Sequence, residues 1–223
     1  MPNTAPAISV INLTKTLGGL MVLDNLSFEI AQGHTVALVG ANGAGKTTLL
    51  RCLAALLRPT SGEVRWFGRA AAANPAARRS IGMAAHDSRL YPHLTLKENL
   101  LFAARMSDVR DPMVRADELL QDAMLASHAD KMPSQISRGM RQRLALARSN
   151  VHEPPILLLD EPFASLDRDG ANWLFRHLEK LREEKRTVCF VSHDDHTVRR
   201  LADWVLSLQT GRIAPQAIAS HAA

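Results

Sequence analysis

The stretch that most constrains this chain is Gly40-Ala41-Asn42-Gly43-Ala44-Gly45-Lys46-Thr47-Thr48, set between a β-branched apolar run, Thr35 to Val39, and an apolar helical pattern, Leu49 to Leu57. A G-x-x-x-x-G-K-T spacing between a strand and a helix is a phosphate-binding loop, the P-loop. Glycine lets the backbone wrap closely around an anion, and successive N–H groups plus the positive end of a helix face the phosphates. The loop residues Gly40, Asn42, Gly43, Ala44, Gly45 and Thr48 are therefore expected to cradle a nucleotide, ATP. Lys46 is expected to reach its β- and γ-phosphates and Thr47 to hold Mg²⁺. A glycine-rich turn that merely joined a strand to a helix would not need the full spacing in this setting.

At 223 residues the chain is long enough for one sizeable domain with a buried interior. No apolar run approaches the roughly 18 to 20 residues that span a bilayer. The first residues, Met1 to Pro6, show no basic segment followed by an apolar core, so the expected location is the cytoplasm. Cys52 and Cys189 have neither metal-ligand nor disulfide spacing and read as small core residues. A net charge of +5 invites a nucleic-acid reading, but aromatic residues are only 4%, too few for a base-stacking platform. The basic residues are scattered apart from Arg138, Arg141, Arg143 and Arg148 on one predicted helix and the pair Arg199-Arg200, and these read as solvated faces. No nucleic-acid partner is expected.

Short strands are predicted at Ile8–Leu13 and Leu26–Ile30, then at Thr35–Val39, 63–67 after the Pro59–Gly62 turn, and 81–85. The alanine-rich stretch 70–77 reads as a loop or short helix. Between about Thr95 and Asn150 leucines recur at helical spacing, with breaks near Pro112 and Pro133, which reads as a helical insert in an α/β core. The core resumes with Ile156-Leu157-Leu158-Leu159, a helix from about Gly170 to Lys185, a buried strand from Thr187, and a last strand pair at 204–208 and 212–213. The tail after Pro215 reads as frayed.

Two of these buried strands end in Asp160-Glu161 and in Ser192-His193, which places polar groups at the carboxyl ends of a parallel sheet, where ligands of such folds bind. Asp160 is the expected Mg²⁺ carboxylate. Glu161 is then the general base or water-positioning group, because the metal claims the first carboxylate and leaves the second facing the γ-phosphate. His193, just past its strand, reads as a γ-phosphate sensor. His193-Asp194-Asp195-His196 also offers four possible metal ligands, but adjacent residues leaving a strand diverge, and Asp195-His196 more naturally opens a helix.

Taken in order, the P-loop, Ile136-Ser137-Arg138-Gly139-Met140-Arg141-Gln142-Arg143, Leu157 to Pro162, Ala164-Ser165-Leu166-Asp167 and His193 resemble the ATP-binding subunit of ABC transporters over roughly residues 8 to 213. The resemblance implies an α/β fold, a P-loop NTPase (RecA-like) core with an antiparallel β subdomain and a helical insert at about 87–150, the whole chain 1–223 forming one nucleotide-binding domain. It implies that Ser137 and Gly139 lie in a signature motif that closes on the γ-phosphate held by a second copy, and that Asp167 sits at that homodimer interface. It also implies a separate transmembrane permease as partner and a peripheral place on the cytoplasmic face of the membrane.

Three departures stand out. Arg138 and Met140 occupy positions where the signature usually has glycine and glutamine. His86 stands where a glutamine usually touches Mg²⁺ and the membrane partner, and Leu17 where an aromatic residue usually stacks on adenine. The segments His86 to Tyr91, Leu94 to Leu100 and Ser137 to Met140 resemble the ATP-binding subunit of the haem exporter of cytochrome c biogenesis, which implies haem export. The competing expectations are another exporter, of lipid, drug or polysaccharide, a soluble ABC-type ATPase acting on ribosomes or DNA, and a P-loop kinase. The last predicts no signature segment.

Overall fold

A turn at Gly18-Gly19, with φ of 55° and 82°, folds Ile8–Leu17 (β1) back on Leu20–Ile30 (β2) as an antiparallel hairpin. Both strands run further than the apolar pattern predicts, because their outer halves are interrupted by residues such as Lys15, Asp24 and Asn25 that face solvent or a bulge. Asn12 and Asn25 take positive φ, 48° and 49°, a conformation asparagine tolerates better than most residues. The register of β1 shifts between Val10 and Leu13. The computed structural model describes residues 5–71, 79–85 and 89–214. The loop expected at 70–77 falls almost wholly outside these, as do His86 and the tail after Pro215.

The chain continues through Thr35–Val39 (β3), Lys46–Leu53 (α1), Ser61–Trp66 (β4) and Arg69–Ala70 (β5), and the first sheet is antiparallel in the order β2-β1-β4-β5. It then passes through Ile81–Ala84 (β6), the helices Leu96–Met106 (α2), Pro112–Asp122 (α3) and Arg138–Ser149 (α4), and Ile156–Leu159 (β7). Arg168–Glu183 (α5), Thr187–Val191 (β8), Asp195–Leu201 (α6), Trp204–Gln209 (β9) and Arg212–Ala214 (β10) complete the described elements. The second sheet has the order β10-β9-β3-β8-β7-β6, parallel throughout except for the β9–β10 pair. This is a mixed α/β architecture with one antiparallel and one mainly parallel sheet.

Side chains alternate across a strand, and here the alternation feeds two separate cores. Val36 and Leu38 of β3, Ile156 and Leu158 of β7, and Cys189 and Val191 of β8 face α1 and the antiparallel sheet. Ala37, Leu157, Leu159, Val188 and Phe190, their neighbours in sequence, face the helices α2 to α5. That is why these strands are unbroken apolar runs, and each fully buried Leu or Phe contributes about 1.5–3 kcal/mol. Both cysteines are small core residues, each 1% exposed. Burial pushes the Cys52 thiol up to about 11 and that of Cys189 up to about 12.

The breaks expected near Pro112 and Pro133 are present, and each proline opens the element that follows. Pro112 is the first residue of α3 and Pro133 opens a single 3₁₀ turn, positions where a missing N–H costs nothing. Thr95 caps α2 in a reciprocal box with Glu98. Buried Asn99 donates to the carbonyls of Tyr91, Leu94 and Thr95 and accepts from Tyr91 N, so it fastens the segment that leads into α2. Among the described residues no helix is long and apolar enough to cross a membrane.

The joint between β6 and α4 leaves no room for a side chain. A Cβ on Gly82 would stand 2.1 Å from Ser149 O and 2.8 Å from Pro154 Cγ. Gly82→Ala is expected to cost about 3 kcal/mol or more, read as a fall of roughly 6–12 °C in the thermal midpoint. Gly18→Ala, with nothing within 4 Å of the new atom, should cost only about 1 kcal/mol, through its positive φ.

Candidate nucleotide-binding site

Where β3 leaves the sheet the backbone passes so close to β9 that a Cβ on Gly40 would lie 2.2 Å from Leu208 O. Gly45, at φ 102°, caps α1 and lies against the second strand of the hairpin, where a Cβ would meet Leu23 Cδ2 at 2.9 Å and Val22 O at 3.0 Å. No side chain caps α1 and no acidic residue lies in its first turn. Its leading N–H groups and dipole thus point at the loop without competition from a protein anion. Lys46 is 6% exposed, and its Nζ donates to Gly40 O at 2.8 Å and Ala41 O at 2.9 Å. Burial lowers the Lys46 pKa, and the charges of Glu161 and Asp160 pull it back up. Asn42 and Gly43 stand exposed at the crest, Ala44 is buried, and Thr47 and Thr48 are half-buried.

β7 and β8 are neighbours in the parallel sheet and deliver their last residues to the same end. Asp160 is 1% exposed and its N donates to Ala84 O at 2.9 Å. Glu161 follows with φ 50°, and its Oε1 lies 3.3 Å from His193 Nε2. The structure therefore brings Lys46, Asp160, Glu161 and His193 together around the P-loop. The oxygen donors available there, the Thr47 hydroxyl and the buried Asp160 carboxylate, suit Mg²⁺, which takes oxygen ligands. The run His193 to His196 does not act as one ligand set. Asp194 caps α6, accepting from His196 N, Thr197 N and Thr197 Oγ1, and its own N donates to Ser192 Oγ.

Ser137, Gly139 and Asp167 form a second group. Ser137 caps α4 by accepting from Met140 N at 3.2 Å, and Arg141 holds the approach to it by donating to Pro133 O and Ile136 O. Asp167 caps α5, accepting from Gly170 N at 2.8 Å. Among the described residues no hydrogen bond or ion pair joins Ser137, Gly139 or Asp167 to the P-loop. The chain's own signature segment faces its Asp167 loop instead.

Residues 23–164 match the family described as ABC transporter. The sulfate/thiosulfate import ATP-binding protein of Escherichia coli K12 is 38% identical over 214 residues, 93% of this chain and 59% of that protein. A probable sulfate/thiosulfate import ATP-binding protein of Chlorella vulgaris is 38% identical over 210 residues, 93% of this chain and 89% of that protein. The chain belongs to the ABC transporter family. An ATP-binding cassette solved as a dimer in a post-hydrolysis state with ADP and Pi superposes with a TM-score of 0.87 at 29% identity, over 95% of this chain and 98% of that one. The ATP-binding subunit of an ABC transporter superposes at 0.89 and 27% identity, over 96% and 90%. The chain spans 59% of the length of the first of these relatives. Both relatives carry a name for import, and neither is a haem exporter.

In this ABC ATPase domain several residues of α4 make contacts that their sequence pattern did not announce. Arg143 reads as part of a solvated face but is 9% exposed and donates to Ala123 O at 2.9 Å. Arg148 donates to Arg89 O and lies over the Tyr91 ring, 5.9 Å from its centroid. Gln142, 7% exposed, reaches Pro162 O at 3.5 Å. A single clue was available: Gln142 and Arg143 directly precede the apolar run that opens at Leu144, at positions a buried helix would fill. Leu17, expected where an aromatic residue meets adenine, sits at the hairpin tip with Leu20 and Met21, all exposed. His86 lies outside the described residues.

The cap on α6 gives a pH test. Hydrogen bonds from Thr197 hold the Asp194 carboxyl below its ordinary value of 3.8. Its stabilisation is then fully present above that value and is lost as the pH falls through the lowered pKa. Asp194→Ala should lower the thermal midpoint by a gap that is constant from roughly pH 5 to 8 and narrows toward pH 3.

Proposed function

We propose that this chain is the ATP-hydrolysing subunit of an ABC transporter, working as a dimer that drives a separate membrane-spanning permease from the cytoplasmic face. The single observation that carries the reading is the pairing of Glu161 with His193 beside buried Asp160 and Lys46. Each chain supplies a P-loop and a carboxylate, while among the described residues no bond joins Ser137 or Gly139 to the chain's own P-loop, which leaves them to serve that of a second copy. The residues from about 87 to 150 act as the helical part of one nucleotide-binding unit.

Lys46 leaves the carbonyls of Gly40 and Ala41 for the β- and γ-phosphates, an exchange of two neutral acceptors for charged ones. Thr47 and Asp160 would hold the Mg²⁺, which supplies charge neutralisation to the phosphates. Glu161 orients the attacking water and accepts its proton, and His193 fixes the carboxylate while reaching toward the γ-phosphate. The helix N-terminus at Ser137 adds a second anion site that one chain cannot complete. Closure follows because ATP binds the closed dimer more tightly than the open one, and hydrolysis removes that difference.

For the cargo, Ser137-Arg138-Gly139-Met140 and the segment from Leu94 support haem export in cytochrome c biogenesis. The names of the two relatives favour sulfate or thiosulfate import instead. An affinity pull-down from detergent-solubilised membranes discriminates: cytochrome c assembly factors beside the permease support haem export, and an anion-import permease overturns it.

The hydrolytic assignment has its own test. Glu161→Gln should lower kcat by about a hundredfold or more while leaving ATP binding intact, and should accumulate an ATP-bound dimer. Gel filtration with ATP and Mg²⁺ that shows only monomer would contradict the reading.

A further inference from the structure

The loop from Glu161 to Asp167 holds two non-glycine residues in the left-handed region, Glu161 at φ 50° and Ser165 at φ 67°. Such backbone persists only where the surroundings over-determine it. Bonds within the loop supply part of the constraint, from Ala164 N to Glu161 O at 3.0 Å and from Leu166 N to Phe163 O at 3.3 Å. Ring contact between Phe163 and Phe175 of α5, 4.6 Å between centroids, supplies another part.

The remainder comes from α4. A Cβ on Gly139 would stand 2.8 Å from Ser165 O, 3.8 Å from Leu166 Cα and 3.9 Å from Asp167 N. Helix backbone therefore lies directly on loop backbone, and only glycine permits the approach. Three residues on, Gln142 donates Nε2 to Pro162 O at 3.5 Å, on the residue that follows Glu161. The helix thus grips the loop at both ends, next to the carboxylate that faces His193 and next to Asp167.

We infer that Gly139 and Gln142 are positioning residues for Glu161 of their own chain, apart from any contact Gly139 makes with a nucleotide held by a second copy. This rests on the proposed ATP sandwich. Its consequence is a coupling between the two sites of the dimer: the helix that meets one nucleotide aims the carboxylate that acts on the other. Such coupling is reciprocal for binding.

Mixed dimers separate the two roles. In a mixture of Gly139→Ala and Glu161→Gln chains, one site of each mixed dimer joins the P-loop and Glu161 of the first chain to the intact signature of the second. If Gly139 served only the partner's nucleotide, that site would be whole and ATPase activity would rise severalfold above either variant alone. The expected result is no rise, because the alanine displaces Ser165 and with it Glu161 of the same chain; a rise overturns the inference. Ser137→Arg mixed with Glu161→Gln is the control, since Ser137 makes no hydrogen bond to the loop, and this mixture should recover activity. Failure of the control overturns the sandwich itself and the inference with it. Should Gly139→Ala not fold, Gln142→Leu takes its place in the same mixture. Alone, Gln142→Leu should lower kcat on the order of tenfold with KM for ATP unchanged, and an unchanged kcat would overturn the inference for Gln142.

Discussion

One carbonyl oxygen sets the position of the nucleotide loop. Leu208 O lies where a side chain on residue 40 would have to be, so β3 can leave the sheet only on glycine. The loop that follows is held between β9 on one side and the hairpin strand β2 on the other, with Gly45 pressed on Val22 and Leu23. Because β3, β7 and β8 run parallel, their carboxyl ends share one rim, and the groups that follow them must meet at the loop. Asp160 and His193 are carried there by the sheet rather than by any contact between themselves.

Much of this was readable from residue order. Thr35–Val39 is a strand with the bounds its β-branched run implies, and the apolar runs of β7 and β8 are buried on both faces because each feeds two cores. The hairpin was longer than its apolar segments suggest, since Lys15, Asp24 and Asn25 break the alternation on its outer side. Of the four arginines of α4, Arg138 is exposed as expected, but Arg143 misleads for a related reason. Charge predicts solvent, yet Arg143 is buried because the end of α3 offers it the carbonyl of Ala123. Contacts between backbones carry no residue signature at all. Nothing in Gly139 or Ser165 taken separately announces that one lies on the other, and the left-handed turn at Glu161 is invisible until the loop is seen.

Some local rules are broken beside the candidate site, though not only there. Glu161 and Ser165 hold backbone angles that cost of order 1–3 kcal/mol each. Lys46 is buried, and among the described residues Arg143 Nε finds no hydrogen-bond partner. Arg138 and Arg141 put cations in the first turn of α4, the end where the helix dipole disfavours them. The same left-handed backbone recurs at Ala55 and Phe67, which pack against the core beside α1, and burial around such residues is what lets them keep these conformations.

The lysine of the P-loop deserves to be seen as scaffolding as well as chemistry. Its ammonium already ties together Gly40 and Ala41, the two residues at the entrance of the loop. A glycine-rich segment would otherwise lose much backbone freedom on wrapping a phosphate, at a cost to affinity. Here that ordering is completed during folding, so an arriving anion inherits a finished cradle and needs only to exchange one set of oxygens for another. On the proposed reading, what changes when a phosphate arrives is the partner of one side chain rather than the path of the loop.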